Sequence, residues 1–100
     1  MNHDLYVNLI GKTVTKDEYK QEIAKETSNI VIGTQQSISS NEFFRASQLG
    51  FQPEFRLLIR TADYNDEKVV EVEGKRYGIY RKFNNNEEFT ELYCREMIGV

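Results

Sequence analysis

The side chains able to do chemistry are few. His3 is the only histidine and Cys94 the only cysteine. A Ser-His-Asp or Cys-His site needs an imidazole held within hydrogen-bond reach of the nucleophile and oriented by a third group. His3 lies in an N-terminal segment expected to fray. Cys94 reads as a small buried hydrophobe rather than a nucleophile. No Cys/His spacing suits zinc. Gly74-Lys75 lacks the earlier glycine and the following Ser or Thr of a phosphate loop. Asp63, Asp66 and Glu67 cluster, but Asp63-Tyr64-Asn65-Asp66 lacks the ligand series of a calcium loop and reads as a solvated turn. Glu87 and Glu88 read as a hydrophilic strand entry. The expectation is a protein without catalytic residues, metal or cofactor, and not an enzyme.

The densest basic cluster is Lys75, Arg76, Arg81 and Lys82, interleaved with Tyr77 and Tyr80. That is the composition of a platform for single-stranded nucleic acid, where rings stack on bases and cations follow the backbone. Glu71 and Glu73 on the facing strand would neutralise it. An ordinary exposed strand is the favoured reading, and a small β-barrel that binds single-stranded nucleic acid is the alternative. The net charge of −3 argues against a dedicated nucleic-acid binder, which normally carries a basic face.

Elements must be found that position these groups. One hundred residues make a single domain, 1–100, with a modest core. A lone cysteine excludes a disulfide within the chain and points to a reducing, cytosolic setting. No apolar run approaches the roughly 20 residues needed to cross a bilayer. Met1-Asn2-His3-Asp4 lacks the basic start and apolar core of a signal peptide. The protein is therefore expected to be soluble and intracellular when made.

The best-punctuated element is a helix over about residues 40–49. Ser39 and Glu42 have capping-box spacing, Gly50 can take the left-handed conformation that ends a helix, and Pro53 cannot continue one. About three turns are too short to stand alone, so an apolar face made from Phe43, Phe44, Ala46 and Leu49 must pack on something. Phe43 and Phe44 are adjacent and point about 100° apart. The plainest expectation is that both enter the core; the other is that one faces a partner.

Around the helix the chain reads as strands and turns. Residues 5–10 place Leu5, Val7 and Leu9 on one face, and Gly11 ends the run. Residues 12–26 are polar and of mixed charge. Helix and strand remain possible, and a mobile polar loop is the preferred reading. Residues 29–37 form a strand in which Gly33 suggests a bulge or bend. Residues 54–61 alternate, with Phe55, Leu57 and Ile59 on one face; Leu58 interrupts the polar face and suggests partial cover. Strands at 68–72 and 76–83 flank a two-residue turn at Glu73-Gly74. Asn84-Asn85-Asn86 is a further turn. Residues 89–100 fit helix and strand periods alike, and the run of hairpins favours a closing strand. The fold expected is mainly β: a small antiparallel β-barrel of about six strands with one inserted helix, the closed form limiting exposed edges.

Four blocks in order resemble the head closure (head–tail joining, or stopper) proteins of tailed bacteriophages and prophages. They are Ser37-Ile38-Ser39-Ser40-Asn41-Glu42-Phe43-Phe44-Arg45-Ala46-Ser47-Gln48-Leu49-Gly50-Phe51-Gln52-Pro53-Glu54-Phe55, in which the second position is variable; Asp63-Tyr64-Asn65; Glu73-Gly74-Lys75-Arg76-Tyr77-Gly78-Ile79-Tyr80-Arg81; and Glu91-Leu92-Tyr93-Cys94. The likeness runs from about Glu26 to Gly99, and the N-terminal quarter matches loosely. The resemblance implies a β-barrel with one helix that closes the DNA-filled head below the portal and adaptor and offers a surface for tail attachment. It implies a monomer in isolation and a homo-oligomeric ring, twelvefold like the portal, when assembled. Its partners would be the portal/adaptor ring and tail proteins. DNA would pass through the channel without specific binding, and no membrane would be involved. The protein would be made in the host cytoplasm and end at the head–tail interface of the virion. On this reading Tyr77, Ile79 and the strand at 54–61 are structural. Phe43, Phe44 and Arg45 are the first candidates for partner contact, with Arg81, Asp63 and Asp66 as secondary ones. Residues 12–26 would be an arm that orders on assembly.

Overall fold

The computed structural model describes residues 3–84 and 87–97. Asn85 and Asn86 of the expected turn, and residues 98–100 of the last segment, lie outside the described residues. The elements are β1 (His3–Lys16), β2 (Glu22–Gln36), α1 (Ser40–Gln48), β3 (Pro53–Arg60), a short 3-10 turn (Thr61–Asp63), β4 (Val69–Val72), β5 (Lys75–Asn84) and β6 (Phe89–Glu96). The strands close in the order β1-β2-β3-β6-β5-β4, with every neighbouring pair antiparallel and β4 hydrogen-bonded back to β1. The expected closed antiparallel barrel with one inserted helix is the fold.

Alternation along the strands builds the interior. Val7 and Leu9 from β1, Val31 from β2, Phe55, Leu57 and Ile59 from β3, Val70 and Val72 from β4, and Leu92 and Cys94 from β6 form one buried cluster. Leu9, Leu57 and Leu92 are essentially inaccessible. Each such side chain contributes about 1.5–3 kcal/mol by leaving water. Phe55 and Tyr77 meet edge to face at 4.6 Å between centroids, so Tyr77 and Ile79 belong to the interior side as expected. Burial pushes the Cys94 thiol well above its ordinary value, which fits an inert small hydrophobe.

The turns follow local chemistry. Glu73 and Gly74 both have positive φ, 52° and 80°, the geometry of a type I′ hairpin joining β4 to β5. The last described segment is a strand: β6 lies between β3 and β5, which settles the ambiguity in its periodicity.

Three sequence expectations need correction. Residues 12–26 are not a loop. β1 and β2 stay paired from His3↔Gln35 to Lys16↔Glu22, and only 17–21 form the tip. There the Asp17 carboxylate accepts from the amides of Tyr19 and Gln21, and Lys20 takes a left-handed φ of 62°. Both faces of this ribbon lie in water, so no apolar alternation marked it, although Thr13, Val14, Thr15 and Ile23 favour extended backbone. Gly11 does not end β1. It lies inside the strand, where a Cβ would come within 2.9 Å of Thr27 Oγ1. Gly33 is not a bulge, since the β1–β2 register runs through it unbroken. A Cβ there would lie 3.0 Å from Ile59 Cγ2 and 3.1 Å from Val7 Cγ2, so the glycine marks a tight place in the wall. His3, expected to fray, is the exposed first residue of β1.

The β1–β2 ribbon overruns the barrel. β1 pairs with β4 only over Asn8–Ile10, and β2 with β3 only over Thr34–Gln36. Beyond these short ladders the hairpin projects as an arm, and the molecule measures 51 × 30 × 25 Å.

Candidate partner interface

The helix is well capped but packs unlike the sequence suggested. The Ser39 hydroxyl accepts from the Glu42 amide at 3.2 Å, which is half of a capping box. At the other end Gly50 has φ of 87°, Gly50 N–H donates to Ser47 C=O, and Phe51 N–H donates to Ala46 C=O. This is a Schellman motif. Of the expected apolar face only Ala46 turns to the barrel; Phe43, Phe44 and Leu49 do not. The buried helical residues are Glu42 and Ala46, while Phe43 and Phe44 are 54% and 65% exposed.

Glu42 explains the reversal. Its carboxylate leaves the second half of the capping box unmade and turns to the barrel. Arg45 Nη2 donates to Oε1 at 2.8 Å, Arg81 Nη1 donates to the same oxygen, and Tyr80 Oη donates to Oε2 at 3.0 Å. A bulge in β5 sets up this contact. Ile79 faces Cys94 and Arg81 faces Tyr93, so Tyr80 is the extra residue and its ring is re-aimed. Tyr80 stacks on Phe51 at 5.0 Å and 17°, and the Arg81 guanidinium lies over Tyr93 at 4.6 Å. Burial and the bond to Glu42 hold the Tyr80 phenol well above its ordinary value. The helix is thus fastened by a buried carboxylate and an aromatic stack, which leaves its phenylalanines free. Phe43 also walls a groove of about 200 Å³ with Ser47, Gly50, Phe51, Gln52 and Pro53.

The other candidates are dispersed. Arg45 and Arg81 meet on Glu42 and help to hold the helix. Asp66 pairs with Lys82, and that hydrogen bond holds its carboxyl below the ordinary range. Asp63 lies on a different cleft with Asp4, Ile32, Thr34, Leu58, Arg60 and Phe89. Between the aspartates, Tyr64 donates to Glu67 C=O at 2.8 Å, and burial pushes its phenol up to about 12.

A second apolar patch was not singled out from the sequence. Tyr6 and Ile32 face each other across β1 and β2, Ile30 lies two residues along, and all three are at least 63% exposed. Leu58 borders them through its Thr34 neighbour. Ile30 and Ile32 alternating with Val31 was the available signal, since it makes both strand faces apolar.

The basic–aromatic cluster is internally neutralised. Lys75 pairs with Glu96, Arg76 with Glu26 and Glu71, Arg81 with Glu42, and Lys82 with Asp66. Glu71 plays its expected part there; Glu73 makes none of these pairs. Among the described residues no group of three or more His, Cys, Asp or Glu side chains is placed to hold a metal ion. No helix among them is long and apolar enough to cross a membrane.

Fold and surface together define a closed antiparallel barrel with an appended helix, apolar patches on its outside and an ion-paired arm. Neither protein-family models nor curated proteins matched the chain.

Proposed function

We propose that the protein is a structural component of a phage or prophage head–tail connector, closing the DNA-filled head below the portal and adaptor and providing the tail-attachment surface. The observation that carries this reading is the outward Phe43–Phe44 pair on a helix locked to the barrel by Glu42. Two large rings held rigidly in water form a surface suited to a protein partner. They also lie inside the sequence block that most strongly resembles head closure proteins. The protein joins as a ring of copies, with Phe43, Phe44 and Arg45 toward a neighbouring connector protein. The net charge of −3 lets DNA pass with few phosphate contacts.

Deleting the gene from an inducible prophage tests this reading. The expected result is full heads and complete tails that fail to join; normal infectious particles would sink it. On the purified side, the protein should be captured by a portal–adaptor complex, and F43S/F44S should abolish capture without lowering the melting temperature. The nucleic-acid reading gains no specific support, because each of the four cations it would use is already paired with a carboxylate.

A further inference from the structure

The arm is a two-stranded ribbon with both outer edges open. Among the described residues β1 has no outer ladder partner after Ile10, and β2 has none before Thr34. Edges of this kind are templates for another strand, and proteins usually guard them with charge. Here the charges are sorted by strand. Lys12, Val14 and Lys16 of β1 lie directly opposite Glu26, Ala24 and Glu22 of β2, so all six share one face. That face carries a basic column along the β1 edge and an acidic column along the β2 edge, in which Glu26 is shared with Arg76 at the root and Glu22 stands nearer the tip. The opposite face holds Thr13 and Thr15 against Lys25 and Ile23 and shows no such sorting.

We infer that the arms of successive copies pair edge to edge, the β1 edge of one chain against the β2 edge of the next, in a continuous antiparallel sheet. The occupant of each open edge is therefore a second copy of this chain. Charge decides the arrangement. Two β1 edges would bring lysine columns together, two β2 edges would bring glutamate columns together, and only β1 against β2 sets lysine beside glutamate. Such a contact is heterologous and propagates in one direction, so it closes into a ring or runs on as a filament. The Arg76 guanidinium holds Glu26 at 2.6 and 3.0 Å and fixes the root of the arm on β5, which gives every copy the same arm direction. The biological setting rests on the connector reading above; the pairing itself does not.

Disulfide trapping of the full-length purified protein tests the pairing. Cys94 is buried and does not compete. V14C and A24C chains are oxidised separately and as a mixture. The expected result is a covalent dimer of V14C with A24C in the mixture, and little dimer from either chain alone. Introducing K16E into the V14C chain should remove the mixed dimer, and adding E22K to the A24C partner should restore it. A chain that had simply lost its arm could not be restored in this way. Dimers formed mainly within one variant, no mixed dimer, or indifference to the charge changes would overturn the proposal. Trapping that succeeds while a gene deletion leaves normal particles would remove the connector reading alone.

Discussion

The helix and the arm are both appendages of the same barrel, and they are fastened by the same chemistry in opposite surroundings. The helix is held by a carboxylate, Glu42, buried among two guanidinium groups and a phenol. The arm is held by a guanidinium, Arg76, half-buried between two carboxylates, the exposed Glu26 of the arm and the half-buried Glu71 of β4. Removing water from an ion pair strengthens its attraction but makes loss of one partner costly, whereas an exposed pair is screened and contributes little. The helix should therefore be part of the cooperative fold. The arm should keep its own hairpin while its attachment to the barrel responds to solution conditions.

The strongest test of that contrast is Glu42→Ala. It leaves Arg81 beside Tyr93 without its carboxylate and the Tyr80 hydroxyl without its acceptor. Arg45 and Arg81 remain partly exposed, so water recovers some of the loss. The expected destabilisation is about 2 kcal/mol, read as a lower midpoint in denaturant with an unchanged slope. Amide exchange at Phe51, whose N–H closes the Schellman motif, should speed up as well. An unchanged midpoint would mean that the helix is not fastened through Glu42.

A smaller effect is expected where the arm enters the wall. Gly33→Ala places a methyl group against Ile59 and Val7 on neighbouring strands. Overpacking of this size costs about 1 kcal/mol. The loss should appear in the global midpoint, because Gly33 lines the barrel rather than the projecting ribbon. If exchange rises only in residues 12–26 while the midpoint holds, the boundary between arm and barrel has been drawn in the wrong place.

How far each region could be read in advance follows from what it packs against. The barrel was legible because burial on one side imposes alternation: Phe55, Leu57 and Ile59 announced β3, and Leu5, Val7 and Leu9 announced the inward side of β1. The Glu73-Gly74 turn and the helix ends were legible because few residues tolerate their backbone geometry. The arm was hidden because it has no buried face. Its signals were the Asp17 turn and the matched Lys12/Glu26 and Lys16/Glu22 pairs, which emerge only once a register is assumed. The helix was found, but its orientation was misread. Hydrophobicity favours burying Phe43 and Phe44, whereas the bulge at Tyr80 and the position of Arg81 favour burying Glu42. Those partners lie about forty positions away in sequence, so no local pattern could reveal them.

Arg76→Gln sharpens the other side of the comparison. It removes the exposed pair to Glu26 at the root of the arm and a half-buried cross-strand pair to Glu71 within the barrel, so the melting temperature should fall far less than in Glu42→Ala. The arm itself should move: NMR shifts of Lys12, Glu26 and Thr27 should change while those of Leu57 and Leu92 in the interior do not. A large loss of global stability would place the arm inside the cooperative unit and erase the contrast with the helix.

The smallest effect is the most specific. Hydrogen bonding to Arg76, aided by the charges of Arg76 and Lys12, holds the Glu26 carboxyl below its ordinary value of 4.5. A carboxylate with a lowered value in the attached state favours attachment above its ordinary titration range and loses that contribution as pH falls through the lowered value. The arm should therefore stay docked at neutral pH and loosen only in acid, below the point where free glutamate has already taken up its proton. Arg76→Gln removes the main cause of the shift, so Glu26 should titrate at higher pH in that variant than in the parent, and the arm amides should no longer report an acid transition of their own. Side-chain carboxyl shifts and backbone amide shifts followed by NMR across the acid range measure these two quantities. Coincident Glu26 titrations in parent and variant would show that Arg76 does not hold the arm, and the attachment would then rest on the short β1–β4 and β2–β3 ladders.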